Sequence, residues 1–139
     1  MSKTIRELLD KFYDIANGGE GELSDIFVPD FELGIAPGFP YGGEYLGMDG
    51  VNEFFGNYKQ HFDVWKVVCD QFFSVDEHTM IMTGSYIAKT ANGGIDFHME
   101  TAHVWRSQGD KLKSLKQYCD TAVLSDAMGN QVPKRRVLK

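Results

Sequence analysis

Two histidines and a glutamate fall within six positions of one segment, His98, Glu100 and His103 in "IDFHMETAHVWR". Residues of these types either converge on a metal ion or share a proton. A metal site needs three or more donors about 2.0 to 2.2 Å from one ion, which depends on the local backbone. The segment alternates and lies between turn signals, so it reads as a strand, and residues two apart share a face about 6 to 7 Å apart. His98 and Glu100 then form a pair in which the carboxylate orients and charges the imidazole, while His103 turns the other way. No metal site is expected, because "H-x-E-x-x-H" on a strand is not the helical H-E-x-x-H motif.

Helical spacing of Ile5, Leu8, Leu9, Phe12, Tyr13, Ile15 and Ala16 predicts a first helix, capped by Thr4 or Ser2 and stopped by "NGG" at 17–19. "GELSDIF" predicts a short second helix, and "DFELGIA" a strand ending at Pro37. The Gly- and Pro-rich "PGFPYGGEYLGMDG" predicts an ordered loop, with Tyr41 and Tyr45 over the mouth of a chamber. Asp49 is placed to cap a third helix from Gly50 to about His61, with Val51, Phe54, Phe55 and Tyr58 on one face. Segments of roughly 62–75, 78–89, 95–106 and 111–124, separated by "DEH", "ANGG" and "SQGD", predict four long antiparallel strands. The expected class is α+β: helices covering one face of a curved, mainly antiparallel sheet. One domain, residues 1–126, precedes a tail, 127–139.

The chain has 139 residues, enough for a single core, with 42% hydrophobic and 13% aromatic residues. A net charge of −6 speaks against nucleic acid, which requires clustered Lys and Arg. "PKRR" at 133–136 reads as a solvated tail. Cys69 and Cys119 have neither zinc nor redox spacing and read as reduced and buried. With no apolar leader and no 18-residue apolar run, the expectation is a cytoplasmic protein without a membrane partner.

The element order, "PGFPYGGEYLGMDGVNEFF" and the closing "GDKLKSLKQYCDTAVL" resemble the SnoaL-like branch of the nuclear transport factor 2-like superfamily over about residues 5–126. That resemblance implies a strongly bent sheet forming a cone around a central cavity, with the first and third predicted helices at its mouth. It also implies a homodimer through the outer sheet face, to which His103, Trp105 and Tyr118 are assigned. The superfamily spans isomerases, cyclases, hydrolase-like enzymes, dehydratases and non-catalytic modules, so the fold alone does not choose among them. "AHVWR" resembles the ketosteroid isomerase stretch that follows a pocket-facing Asp. This places Ala102, and with it the even-numbered residues, inside the cone. The three catalytic positions of those isomerases fall on Phe12, Ala36 and Ala102, all apolar, which excludes a standard ketosteroid isomerase.

The interior site expected from these readings has His98 as acid or base, Glu100 orienting it, and Gln117 with Tyr86 positioning a substrate oxygen or water. Gln117 stands where the resemblance puts an acid–base Asp, and a carboxamide orients without exchanging protons at neutral pH. Asp120, the second Asp of the closing motif, is a catalytic candidate or a strand-end residue. Phe12, Phe54, Tyr58, Trp65, Met82, Tyr86 and Cys119 are assigned to a hydrophobic pocket, with Phe73 beside them as core or lining. The expected activity is cofactor-independent proton transfer on a hydrophobic small molecule: isomerisation, cyclisation, dehydration or hydrolysis. The alternative is a non-catalytic dimeric module that binds a small hydrophobic ligand or a protein.

Overall fold

The computed structural model describes residues 3–129 and 131–134. Ser2 and the basic pair Arg135 and Arg136 lie outside the described residues. Helix α1 (Ile5–Ala16) starts at a capping box in which the Thr4 hydroxyl accepts from the Glu7 N–H, and it ends at Asn17. A 3₁₀ turn (Leu23–Asp25) replaces the expected second helix. Strand β1 (Phe27–Ile35) runs through Pro29, and the missing N–H is accommodated by a register shift against its neighbour between Phe27 and Glu32. The Gly-rich stretch is partly regular: β2 (Gly43–Leu46) pairs with β1. Helix α2 (Gly47–Lys59) then begins earlier than Asp49 would place it, with no side-chain cap.

The long strands follow the turn signals: β3 (Phe62–Asp76), β4 (Thr79–Thr90), β5 (Asp96–Gln108) and β6 (Lys111–Cys119). The last ends at Cys119 because Asp120 caps a further helix, α3 (Thr121–Ala127), by accepting from the Val123 N–H at 3.3 Å. The sheet order is β2-β1-β6-β5-β4-β3, with β1 and β6 parallel and the other pairs antiparallel. This is the expected α+β class, a curled and unclosed sheet whose concave face packs on α1 and α2.

Bulges in β3 and β5 bend the sheet and re-aim side chains. The irregularity between Cys69 and Gln71 turns Phe72 inward and leaves Phe73, expected inside, exposed on the outer face. Gly84 faces that point from β4, where an added Cβ would lie 2.0 Å from the Val68 carbonyl oxygen. Gly84→Ala should therefore lower unfolding free energy by about 2 kcal/mol or more through displaced backbone, measurable by urea titration.

Alternation divides β5 as expected, but the faces are exchanged. Met99, Thr101, His103 and Trp105 are buried on the concave face, whereas Asp96, His98, Glu100 and Arg106 are exposed on the convex one. The reason is burial. The odd-numbered face carries Phe97, Met99 and Trp105, and these large apolar surfaces outweigh the frame taken from "AHVWR". His103 and Trp105 are thus withdrawn from any outer interface, and of the three residues assigned there only Tyr118 lies outside, 53% exposed.

Candidate active site

The concave face brings together one continuous polar network within an aromatic core. Trp105 projects from β5 with no solvent exposure, and its Nε1–H donates to the Tyr13 hydroxyl of α1 at 2.9 Å. The Tyr13 Oη lies 2.7 Å from His103 Nδ1, and the opposite ring nitrogen, Nε2, lies 2.6 Å from the Tyr86 hydroxyl of β4. Gln117 of β6 donates from Nε2 to the same Tyr86 hydroxyl at 2.8 Å, while its Oε1 accepts from the Ala36 N–H at 3.3 Å. These positions follow from strand register, since His103 pairs with both Met82 and Gln117, and Tyr86 with Met99.

Donor counting fixes the direction of the chain. The indole and the carboxamide nitrogen only donate, and each hydroxyl and the neutral imidazole has one proton to give. If His103 carried its proton on Nδ1, Tyr13 would accept twice and its own proton would have no acceptor among the described residues. With the proton on Nε2, Trp105 donates to Tyr13, Tyr13 to Nδ1, and Nε2–H to Tyr86. The Tyr86 hydroxyl then accepts from both Nε2 and Gln117 and keeps its own proton for the cavity, which Tyr86 lines and Tyr13 does not. We assign the Nε2–H tautomer, which leaves the spare proton on the cavity-lining Tyr86 rather than on the enclosed Tyr13. All the dipoles run toward Tyr86.

Burial keeps this network neutral. Desolvation pushes the His103 imidazole down to about 3, so it is uncharged at neutral pH. It also raises the Tyr13 phenol, with the Trp105 bond opposing, and the Tyr86 phenol, with the Thr101 and Gln117 bonds opposing. Tyr58 of α2 is raised by burial first and by nearby Tyr86 second. It is 5% exposed, and its hydroxyl makes no hydrogen bond to any described residue.

A cavity of about 30 Å³ adjoins these groups, lined by Phe39, Tyr58, Trp65, Tyr86, His103 and Gln117 among others. Phe12 and Phe54 line it as expected. Met82 and Cys119 do not: Met82 is fully buried core, and burial pushes the half-buried Cys119 thiol up to about 12, with the Asp120 charge adding to it. No Asp, Glu, Lys or Arg lines the cavity. Its volume holds one or two water molecules, so the chamber expected from the resemblance is nearly filled by side chains.

The remaining sequence candidates lie elsewhere. His98 and Glu100 are exposed on the convex face and make no hydrogen bond to each other, so the paired site expected inside the cone is not formed. Asp120 caps α3. Ala102, on the same outer face as His98, no longer bears on ketosteroid isomerisation; the absence of a carboxylate from the cavity lining does. Gln117 and Tyr86 are brought together as expected. His103, Tyr13 and Trp105 were missed as interior polar residues, although the three large apolar side chains on the His103 face were a legible signal.

No family model matches the chain, and no curated protein matches it. Solved structures do. An NTF2-like protein from Burkholderia thailandensis superposes with a TM-score of 0.82 at 23% identity, covering 91% of this chain and 98% of that one. TerC, co-crystallised with polyporic acid, gives 0.73 at 18% identity over 90% and 95% of the two chains. A protein assigned as a SnoaL-like polyketide cyclase, from a Jannaschia species, gives 0.75 at 11% identity over 88% and 89%. With six strands curled over α1 and α2 in the same way, the chain has the nuclear transport factor 2-like fold shared by SnoaL-like and ketosteroid isomerase-like proteins.

Proposed function

We propose that the protein is a small-molecule enzyme of SnoaL-like type that stabilises the enolate oxygen of a hydrophobic, cyclic carbonyl compound, in an isomerisation or cyclisation. The observation that carries this reading is the convergence of hydrogen-bond donors on Tyr86 at a cavity without carboxylates that Tyr58 also lines. When a C–H bond next to a carbonyl breaks, negative charge grows on the carbonyl oxygen. Preorganised donors in a dry site stabilise that charge more than water does. Tyr86, accepting from His103 and Gln117, is polarised to donate its own proton, and Tyr58 supplies a second donor. Neither phenol ionises at neutral pH, so both act by hydrogen bonding. His103 is too weak a base to take the carbon proton. The substrate must therefore be a carbon acid already activated by its own substituents, with water or buffer accepting the proton. The co-crystallisation of TerC with polyporic acid is in keeping with a small organic ligand on this fold.

The test needs no knowledge of the natural product. 2-Tetralone in D₂O exchanges its benzylic α-protons through an enolate, and proton NMR follows the loss of signal. The protein should accelerate this exchange over buffer, and Tyr58→Phe should slow the catalysed part about tenfold, less than the 10²- to 10³-fold typical of losing a principal oxyanion donor. Exchange that is no faster than in buffer, or that Tyr58→Phe leaves unchanged, would sink the proposal.

A further inference from the structure

The cavity is too small for the proposed substrate, and one of the side chains that closes it, Phe39, comes from the Gly-rich loop. Phe39 is 1% exposed yet belongs to no helix or strand. Its ring stands edge-on to Trp65 at 5.4 Å and 87° and to Tyr58 at 5.5 Å and 65°, and lies 6.3 Å from Tyr86. It therefore touches both rings whose hydroxyls are assigned to the substrate oxygen. We infer that Phe39 occupies the place of the ligand's own ring, and that the ligand is a planar ring of about six-membered size carrying an oxygen on the edge that faces Tyr58 and Tyr86. This rests on the oxygen-binding reading of those two tyrosines.

The loop is built to hold Phe39 in without committing it to the sheet. Two tight turns bracket it, with the Phe39 N–H bonded to the Ala36 carbonyl at 2.9 Å and the Gly42 N–H to the Phe39 carbonyl at 2.8 Å. Gly42 is required, since a Cβ there would lie 2.1 Å from the Ala36 oxygen. Next to it Tyr41 adopts φ of 59°, a left-handed conformation unfavourable for a residue with a side chain. Tyr41 is tied by its N–H to the Pro133 carbonyl at 2.8 Å, and its hydroxyl lies 2.9 Å from His61 Nε2. Swinging Phe39 out breaks turn bonds and aromatic contacts but no strand ladder. A ring entering in its place regains the contacts with Trp65 and Tyr58 and adds an acceptor for the unpaired Tyr58 hydroxyl.

Binding of phenol and of benzene to wild type, Phe39→Ala and the Phe39→Ala/Tyr58→Phe double variant, read by NMR chemical-shift titration, tests this. An apolar cavity of ~150 Å³ accepts benzene, so removal of one ring makes a site of suitable size. If the plug is out in about a tenth or less of the free wild-type molecules, Phe39→Ala should bind phenol about tenfold more tightly or better. The double variant should show a weaker preference for phenol over benzene, with Tyr86 supplying what remains. Should Phe39→Ala fail to fold, Phe39→Leu is expected to show the same gain, smaller. No gain in a folded Phe39 variant overturns the plug and leaves the donor site standing. A gain that is equal for benzene and phenol, and indifferent to Tyr58→Phe, overturns the oxygen-bearing ligand together with the donor role of Tyr58.

Discussion

Tyr86→Phe is expected to slow the protein-catalysed α-proton exchange of 2-tetralone by about 10²- to 10³-fold, the loss seen when a principal oxyanion donor is removed. The size follows from its place in the network. Tyr58 is one hydroxyl with no partner behind it, whereas Tyr86 is the terminus of a chain in which Trp105, Tyr13 and His103 each donate to the next, reinforced by Gln117. Removing its oxygen deletes the substrate contact and strands the His103 Nε2–H and the Gln117 amide in a closed interior, where an unmet polar group costs about 1–3 kcal/mol. A fall in unfolding free energy should accompany the loss of exchange. Tyr58→Phe, which strands nothing, should show the kinetic effect with little change in stability. Equal kinetic losses in the two variants would contradict the convergence on Tyr86.

The second large effect is on stability at acid pH. In the folded protein burial holds the His103 imidazole down at about 3, while the unfolded chain binds the proton near 6.5. Below pH 6.5 the unfolded state therefore binds the proton and the folded state does not. The stability due to neutral His103 is fully present above pH 6.5 and is lost as the pH falls, until the folded group also titrates near 3. The slope approaches about 1.4 kcal/mol per pH unit below pH 6.5, so about 2 kcal/mol disappears between pH 6.5 and pH 4.5. Urea unfolding of wild type and His103→Gln at both pH values isolates this contribution, because the other histidines and the carboxylates are common to both proteins. A carboxamide can still accept from Tyr13 and donate to Tyr86, and it does not titrate. The two proteins should converge in stability toward pH 4.5; parallel losses would place the His103 titration elsewhere.

Much of the frame was legible because it rests on local chemistry. The Thr4 capping box, the "NGG" stop and the turns at 76–78, 91–94 and 107–110 punctuate the chain as their residue types demand, and the strand alternation held through β4, β5 and β6. The interior site was half legible. Gln117, Tyr86, Tyr58, Trp65, Phe54 and Phe12 fall where alternation and helix periodicity put them. His98 and Glu100 have the chemistry of an acid–base pair, but a carboxylate and an imidazole not bonded to each other are cheaper on the convex face, in water, than among Trp and Met side chains. His103 could go inside because Tyr13 and Tyr86, distant in sequence, satisfy both of its nitrogens, and such a pairing across elements is not encoded in any local pattern. Phe73 and Phe39 were likewise decided by tertiary features: a bulge at 69–71 turns one out, and a loop folded back over the cavity turns the other in.

In this site a neutral imidazole, protonated on Nε2, relays hydrogen bonds toward Tyr86. Nitrogen-15 NMR of the His103 side chain tests it most directly. A protonated Nε2 and an unprotonated Nδ1 are expected, with both shifts unchanged between pH 8 and pH 5. A titration near pH 6.5, or the proton on Nδ1, would contradict it.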